Sequence, residues 1–169
     1  MERNKNLFLI GFMGCGKSTI ARILSEKTGA ELIEMDETIE KEAGMSIREM
    51  FEIYGEPYFR DLESQLIEQI TKQGGAVVSC GGGSILREEN VLKMKENGTI
   101  VYFSATPETI YERVRHSTNR PLLNGNMNVE YITELMGKRL PLYEKAADRT
   151  ISVDGKNKQE VVEELMQIY

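Results

Sequence analysis

Short apolar runs alternate with longer stretches of helical spacing along this chain. Residues 7–10, LFLI, form a continuous apolar run and predict a buried strand. A glycine-rich turn follows, then a helix over 17–27 with Gly29 at the C-cap position. Residues 31–35 predict a second strand and 36–43 a helix stopped by Gly44. Ser46 with Glu49 three residues on is a capping box opening another short helix, which Gly55 ends. Pro57 suits the first turn of a longer helix reaching about residue 72. Residues 76–80, AVVSC, predict a third strand that runs into three glycines. A helix over 87–96 stops at Asn97-Gly98, and 99–103, TIVYF, is a fourth strand. Pro107 starts a helix to about residue 115. Turn formers and Asn crowd 116–127, which predicts an exposed loop. A helix over 129–146, a fifth strand over 149–153 and a helix over 158–168 complete the pattern.

Strands that alternate with helices, and that are apolar throughout rather than at every second position, predict an α/β fold. The sheet is expected to be parallel and covered by helices on two faces. Ligands bind such sheets at the carboxyl ends of the strands. The turns after strands one, two and three are therefore where chemistry is expected.

Composition narrows the partners. The 169 residues suffice for one domain with its own core, spanning 1–169. A net charge of −6 argues against a nucleic-acid partner, so any anionic substrate must be held by a local cluster of Arg and Lys. Two cysteines and one histidine exclude a disulfide framework and a Cys/His metal cluster. No apolar run approaches the roughly 18 residues of a membrane span, and the N-terminus has no signal-peptide core. The expectation is a cytoplasmic monomer.

The first candidate site is Gly11-Phe12-Met13-Gly14-Cys15-Gly16-Lys17-Ser18, which matches G-x-x-x-x-G-K-[ST] between a predicted strand and a predicted helix. Such glycines let backbone N–H groups surround phosphate oxygens, and the helix directs its positive end at the same anion. Gly14, Cys15, Gly16, Lys17, Ser18 and Thr19 are the expected ATP contacts. Lys17 is to reach the β- and γ-phosphates, and the Ser18 hydroxyl is to bind Mg²⁺ directly. Cys15 is read as a small residue that fits the loop.

Three further features suggest an acceptor. Glu34 and Asp36 fall at the end of strand two, where strand alternation would place them on one side. One would hold Mg²⁺ through water and the other orient or deprotonate a hydroxyl. Arg60 lies one turn before Glu63 on the helix after Gly55-Glu56-Pro57. Gly81-Gly82-Gly83 exceeds what a simple turn needs and suits close approach to a ligand.

Together these features resemble the shikimate kinase family. The resemblance runs through GFMGCGKST, the acidic pair before TIE, Arg60, Glu63, Ile67, Val77-Val78, Ser79, Gly81-Gly82-Gly83 and Ile85. It continues through Arg120-Pro121-Leu122-Leu123 and Lys138-Arg139-Leu140-Pro141-Leu142-Tyr143, and so covers essentially the whole chain. It implies the nucleoside-monophosphate-kinase type of P-loop fold: three layers, α/β/α, on a five-stranded parallel sheet of order 2-3-1-4-5. It implies transfer of the ATP γ-phosphate to the 3-hydroxyl of shikimate, with Mg²⁺, in the pathway to chorismate and the aromatic amino acids. By the same resemblance Asp36 holds the ring hydroxyls and is the candidate base. Arg60 and Arg139 grip the carboxylate, and the glycine run, through the backbone at Gly82, contacts the ring. Residues 34–62 make up the acceptor-binding region. Arg120 in a lid over 116–127 contacts the phosphates, and Arg113 lies near the adenine. The family usually has Asp where this chain has Glu34, a departure that bears on the water-mediated Mg²⁺ contact. A gluconate kinase would share Gly11 to Ser18 but has no reason to carry the glycine run with Arg60 and Arg139. A non-catalytic nucleotide module would be expected to lack Lys17, Asp36 or Arg139.

Overall fold

The computed structural model describes residues 5–115 and 128–169. The proposed lid over 116–127, with Arg120, lies outside the described residues.

Five strands form one sheet: β1 (Asn6–Ile10), β2 (Glu31–Glu34), β3 (Ala76–Ser79), β4 (Gly98–Ser104) and β5 (Arg149–Ser152). Their order is β2-β3-β1-β4-β5 and every pairing is parallel. The register sets Leu7 beside Val77 and Thr99, and Glu34 beside Ser79. The expected strand order is the one observed.

Burial follows the position of each strand. The five residues of β1, at the centre, are all buried, whereas the edge strand β5 buries only Ile151. Leu7, Phe8, Leu9 and Ile10 are fully buried, and each such side chain contributes about 1.5–3 kcal/mol of transfer free energy. Asn6 is buried because its amide has work on both sides. Its Nδ2 donates to the Ile70 carbonyl at 3.2 Å, and its Oδ1 accepts from the Ala76 N–H at 3.0 Å.

Helices flank the sheet: α1 (Lys17–Thr28), α2 (Met35–Ala43), α3 (Ile47–Tyr54), α4 (Glu56–Gln73), α5 (Glu88–Asn97), α6 (Pro107–Val114), α7 (Val129–Ala146) and α8 (Lys158–Ile168). The capping box at Ser46 and Glu49 is formed in both directions. Helix α7 continues through Pro141, whose ring faces the carbonyl four residues back, at Gly137.

One local expectation fails. Strand β2 ends at Glu34, which is already the N-cap of α2, and Asp36 lies in the first turn of that helix. Alternation along a strand therefore does not relate the two carboxylates. The strand runs directly into the helix with no loop, and acidic residues suit the positive helix end. The helix geometry, not the pleat, aims Asp36.

Candidate active site

The phosphate-binding loop bridges β1 and α1. Gly16 caps α1 in the left-handed conformation, φ 98°, which a side chain would strain. A Cβ at Gly14 would come within 2.5 Å of Val114, so α6 packs directly on the loop. Arg113 of α6 donates from Nη1 to the Cys15 carbonyl at 2.8 Å and so braces the loop from outside. The Lys17 ammonium lies on the loop's own acceptors, 2.7 Å from the Gly11 carbonyl and 3.2 Å from the Phe12 carbonyl. The Ser18 hydroxyl is 3.2 Å from that of Ser79 at the end of β3.

A single cavity of about 1490 Å³ opens at the carboxyl ends of the strands. Its wall includes Gly14 to Thr19 from the loop together with Glu34, Asp36, Arg60, Gly82, Gly83 and Arg139. Arg113, Val153 and Lys156 also line it. The segment after β5 is held to α6 by Asp154, whose Oδ1 accepts from the Thr106 N–H at 3.0 Å and the Thr109 hydroxyl at 2.6 Å. Against the cost of partial burial, these bonds hold the Asp154 carboxyl below its usual range.

Arg60 and Arg139 reach the cavity from α4 and α7 respectively. Arg60 is almost buried and held on two sides. Its Nη1 donates to Glu63 Oε1 at 2.9 Å, and its Nη2 and Nε donate to Glu56 Oε1 at 3.0 and 3.2 Å. Burial alone would lower the guanidinium pKa, but the two carboxylates beside it raise it further, so the charge is secure. Three of its five N–H groups are engaged in these bonds, and the fork keeps two for a ligand. Glu63 is 1% exposed, and its Oε2 has no hydrogen-bond partner among the described residues. Burial pushes its pKa up against the pull of Arg60, and the Asp36 charge adds to the rise.

The three glycines have a use besides the close approach to a ligand expected of them. None has a positive φ. What they supply is room for the protein's own charged groups. A Cβ at Gly81 would lie 2.7 Å from Glu63 Oε2 and 2.8 Å from Asp36 Oδ1. One at Gly83 would overlap the Arg60 guanidinium, and one at Gly82 would sit 3.2 Å from Arg139 Nη1. Gly82 and Gly83 line the cavity, whereas Gly81 is wedged between the two carboxylates.

Glu34 lines the cavity and faces Arg22 of α1. Among the described residues its Oε1 is buried without a hydrogen bond, and the nearest cation is Arg22 Nη2 at 3.9 Å. Burial raises its pKa, and Glu37 adds to the rise. Full burial pushes the Cys80 thiol up to about 12.

Ser79 and Glu56 were not singled out by sequence reasoning as site residues. Ser79 has a signal in hindsight, since it ends a strand beside the strand that feeds the phosphate loop. Glu56 has none, because an exposed acid at a helix start is ordinary.

Comparison with known proteins gives one answer at each level. The family model for shikimate kinase matches residues 13–169. A shikimate kinase of Thermodesulfovibrio yellowstonii is 43% identical over 98% of this chain and 95% of its own. One of Persephonella marina is 43% identical over 96% of this chain and 97% of its own. Among solved structures, a shikimate kinase from Acinetobacter baumannii in complex with shikimate superposes with a TM-score of 0.91 at 32% identity, covering 99% of this chain and 93% of that one. A gluconokinase from Sinorhizobium meliloti reaches 0.59 at 19% identity, a likeness of fold alone. With a phosphate loop, Arg60 and Arg139 on one cavity, and with these relatives along nearly its full length, the chain belongs to the shikimate kinase family.

Proposed function

We propose that Lys17, Asp36, Arg60 and Arg139 carry out on this chain the reaction of its family. That reaction is transfer of the ATP γ-phosphate to the 3-hydroxyl of shikimate, giving shikimate 3-phosphate and ADP. One observation supports the assignment above the rest: a single cavity joins the phosphate loop to Asp36, Arg60 and Arg139. A small rigid acid held by two guanidinium forks at one end presents its far side to the loop. Carboxylate recognition favours such forks, and holding both reactants in register supplies much of the rate.

In this reading Arg60 and Arg139 bind the carboxylate of shikimate. The backbone at Gly82 and Gly83 supports the ring, and residues 34–62 form most of the acceptor-binding region. Asp36 accepts hydrogen bonds from the ring hydroxyls and takes the proton of the one that reacts. Lys17 turns from the carbonyls of Gly11 and Phe12 to the phosphates, exchanging neutral acceptors for charged ones. Arg113, with Val153 and Lys156, borders the adenine end. Arg120, outside the described residues, would contact the ATP phosphates.

Magnesium fits the residues present. Ser18 offers a hydroxyl at the cavity wall, and Glu34 a buried oxygen that lacks a hydrogen bond. Ser18 would hold the ion directly and Glu34 through water. The ion supplies charge neutralisation at the phosphate oxygens. Among the described residues no helix is long and apolar enough to cross a membrane. A cytoplasmic monomer without a nucleic-acid partner is the arrangement that suits the acidic surface.

The test is a coupled ADP-release assay with shikimate, quinate, gluconate and water as acceptors. Shikimate should exceed the others. Faster turnover with gluconate, or equal ADP release with water, would overturn the assignment.

A further inference from the structure

The glycine run after β3 has a support that the acceptor reading does not use. Tyr143 lies on α7 one turn beyond Arg139, so the two share a helix face. It is 2% exposed, and its ring stacks on Tyr102 of β4 with centroids 5.1 Å apart and 15° between planes. Its hydroxyl donates to the Gly82 carbonyl at 2.5 Å. The Arg139 guanidinium packs at the same glycine, its Nη1 3.2 Å from where a Cβ at Gly82 would lie. A Cβ at Gly82 would lie 3.7 Å from both the Tyr143 oxygen and the Gly11 carbonyl. Gly11 is also the carbonyl on which Lys17 rests, at 2.7 Å. Gly82 is thus the point where α7, the glycine run and the phosphate loop meet.

The physical need for a clamp at this point is clear. A peptide unit is planar, so fixing the direction of the Gly82 carbonyl also fixes the Gly83 N–H, which points the opposite way. Glycines have no side chains to hold such a plane and lose the most freedom on ordering. One hydroxyl bonded to the Gly82 carbonyl, with the Arg139 guanidinium packed on the same glycine, sets both groups against each other. Burial pushes the phenol's pKa far up, so it remains a donor wherever the protein is folded. Packing of the ring needs none of this, since a phenylalanine would stack on Tyr102 equally well.

We infer that Tyr143 is a positioning residue for the acceptor, its hydroxyl locking the Gly82–Gly83 peptide and the Arg139 guanidinium into one carboxylate-receiving unit. The inference rests on the acceptor reading given above. It adds a residue that touches neither the nucleotide nor the reacting atoms.

The test is steady-state kinetics on the full chain, varying shikimate at saturating ATP and ATP at saturating shikimate. The proteins are the parent, Tyr143→Phe, Arg139→Ala and the double variant. Losing the hydroxyl frees the half-buried Gly82 carbonyl from its fixed direction, so Tyr143→Phe should raise the shikimate KM roughly fivefold to thirtyfold. The ATP KM should stay within about twofold. In the Arg139→Ala background the same change should have a smaller effect than in the parent, because part of the tyrosine's action passes through Arg139. Para-aminophenylalanine introduced at position 143 keeps a donor and should restore most of the parent KM. Para-fluorophenylalanine fills the space without donating and should match the phenylalanine variant, which keeps the test open if Tyr143→Phe does not fold. An unchanged shikimate KM, an equal rise in both constants, or full additivity with Arg139→Ala would overturn the inference. If the parent itself does not turn over shikimate, the reaction assignment fails first and the inference falls with it. If the parent does and Tyr143→Phe is indifferent, the inference fails alone.

Discussion

Replacing Gly83 by alanine isolates what the glycine run is for. Gly83 has no positive φ, so alanine can adopt its backbone conformation without strain. The cost comes from space. The new Cβ would lie 2.5 Å from Arg60 Nη2 and 2.6 Å from Cζ, against 3.4 Å for ordinary contact. The guanidinium must retreat by roughly 1 Å, while backbone holds the other side. That retreat breaks or lengthens the bonds to Glu63 at 2.9 Å and Glu56 at 3.0 Å. A hydrogen bond to a charged group is worth about 1.5–3 kcal/mol, and Glu63 is too buried to find a substitute in water. Misaligning Arg60 should therefore weaken shikimate binding about tenfold to a hundredfold, at about 1.4 kcal/mol per tenfold. The ATP KM should stay within about twofold. The same loss should lower Tm by roughly 3–12 °C in a chain of this size. Gly137→Ala is the control. It sits in α7 with nothing within 4 Å of a new Cβ, so it should raise stability by about 0.5–1 kcal/mol and Tm by roughly 1–4 °C. Titration calorimetry with shikimate and thermal melts decide the matter. A Gly83→Ala protein with parent shikimate affinity and parent Tm would show that the run is merely a loop.

Arg139→Ala should raise the shikimate constant about tenfold to a hundredfold with little change for ATP, as measured by titration calorimetry with each ligand. Asp36→Asn keeps the size and removes the charge; stopped-time assays should show kcat reduced by roughly 10² or more, and an unchanged kcat with a raised KM would limit Asp36 to holding substrate. Glu34→Ala should lose about tenfold to a hundredfold in rate and need more Mg²⁺ for half-maximal activity, while Glu34→Asp stays within about threefold, because a water-mediated contact can absorb one methylene. A magnesium titration of both variants beside the parent checks this. Glu34 also makes a pH prediction. Its folded pKa is raised above the ordinary 4.5, so the folded state holds its proton more tightly and is penalised as pH rises through the folded value. Glu34→Gln should therefore raise Tm at pH 7 to 8, with the gain fading to nothing below about pH 4; a gain that grows on acidification would have the wrong sign.

The phosphate loop and the sheet were legible in the sequence because both are local or periodic. The loop needs eight contiguous residues whose glycines permit the turn, and each is visible in the chain. The buried strands announce themselves as apolar runs, and the observed sheet contains every one of them. Arg60 and the glycine run were legible from the residues themselves and Arg139 through family resemblance, but not as an arrangement. Asp36 was named for its chemistry and misplaced in its geometry, since the break between β2 and α2 falls one residue earlier than alternation suggests. Only the tertiary structure reveals that Gly81 and Gly83 also make room for Glu63, Asp36 and Arg60. Likewise, nothing in the pattern of residues 56–63 says that Glu63 is buried with an oxygen unpaired while Glu56 lies out in solvent. The physical reason is range. Backbone conformation and hydrophobic period are decided by neighbours in the chain, whereas the distances among Asp36, Arg60, Gly82 and Arg139 are set by strand order and by how α4 and α7 pack against that sheet.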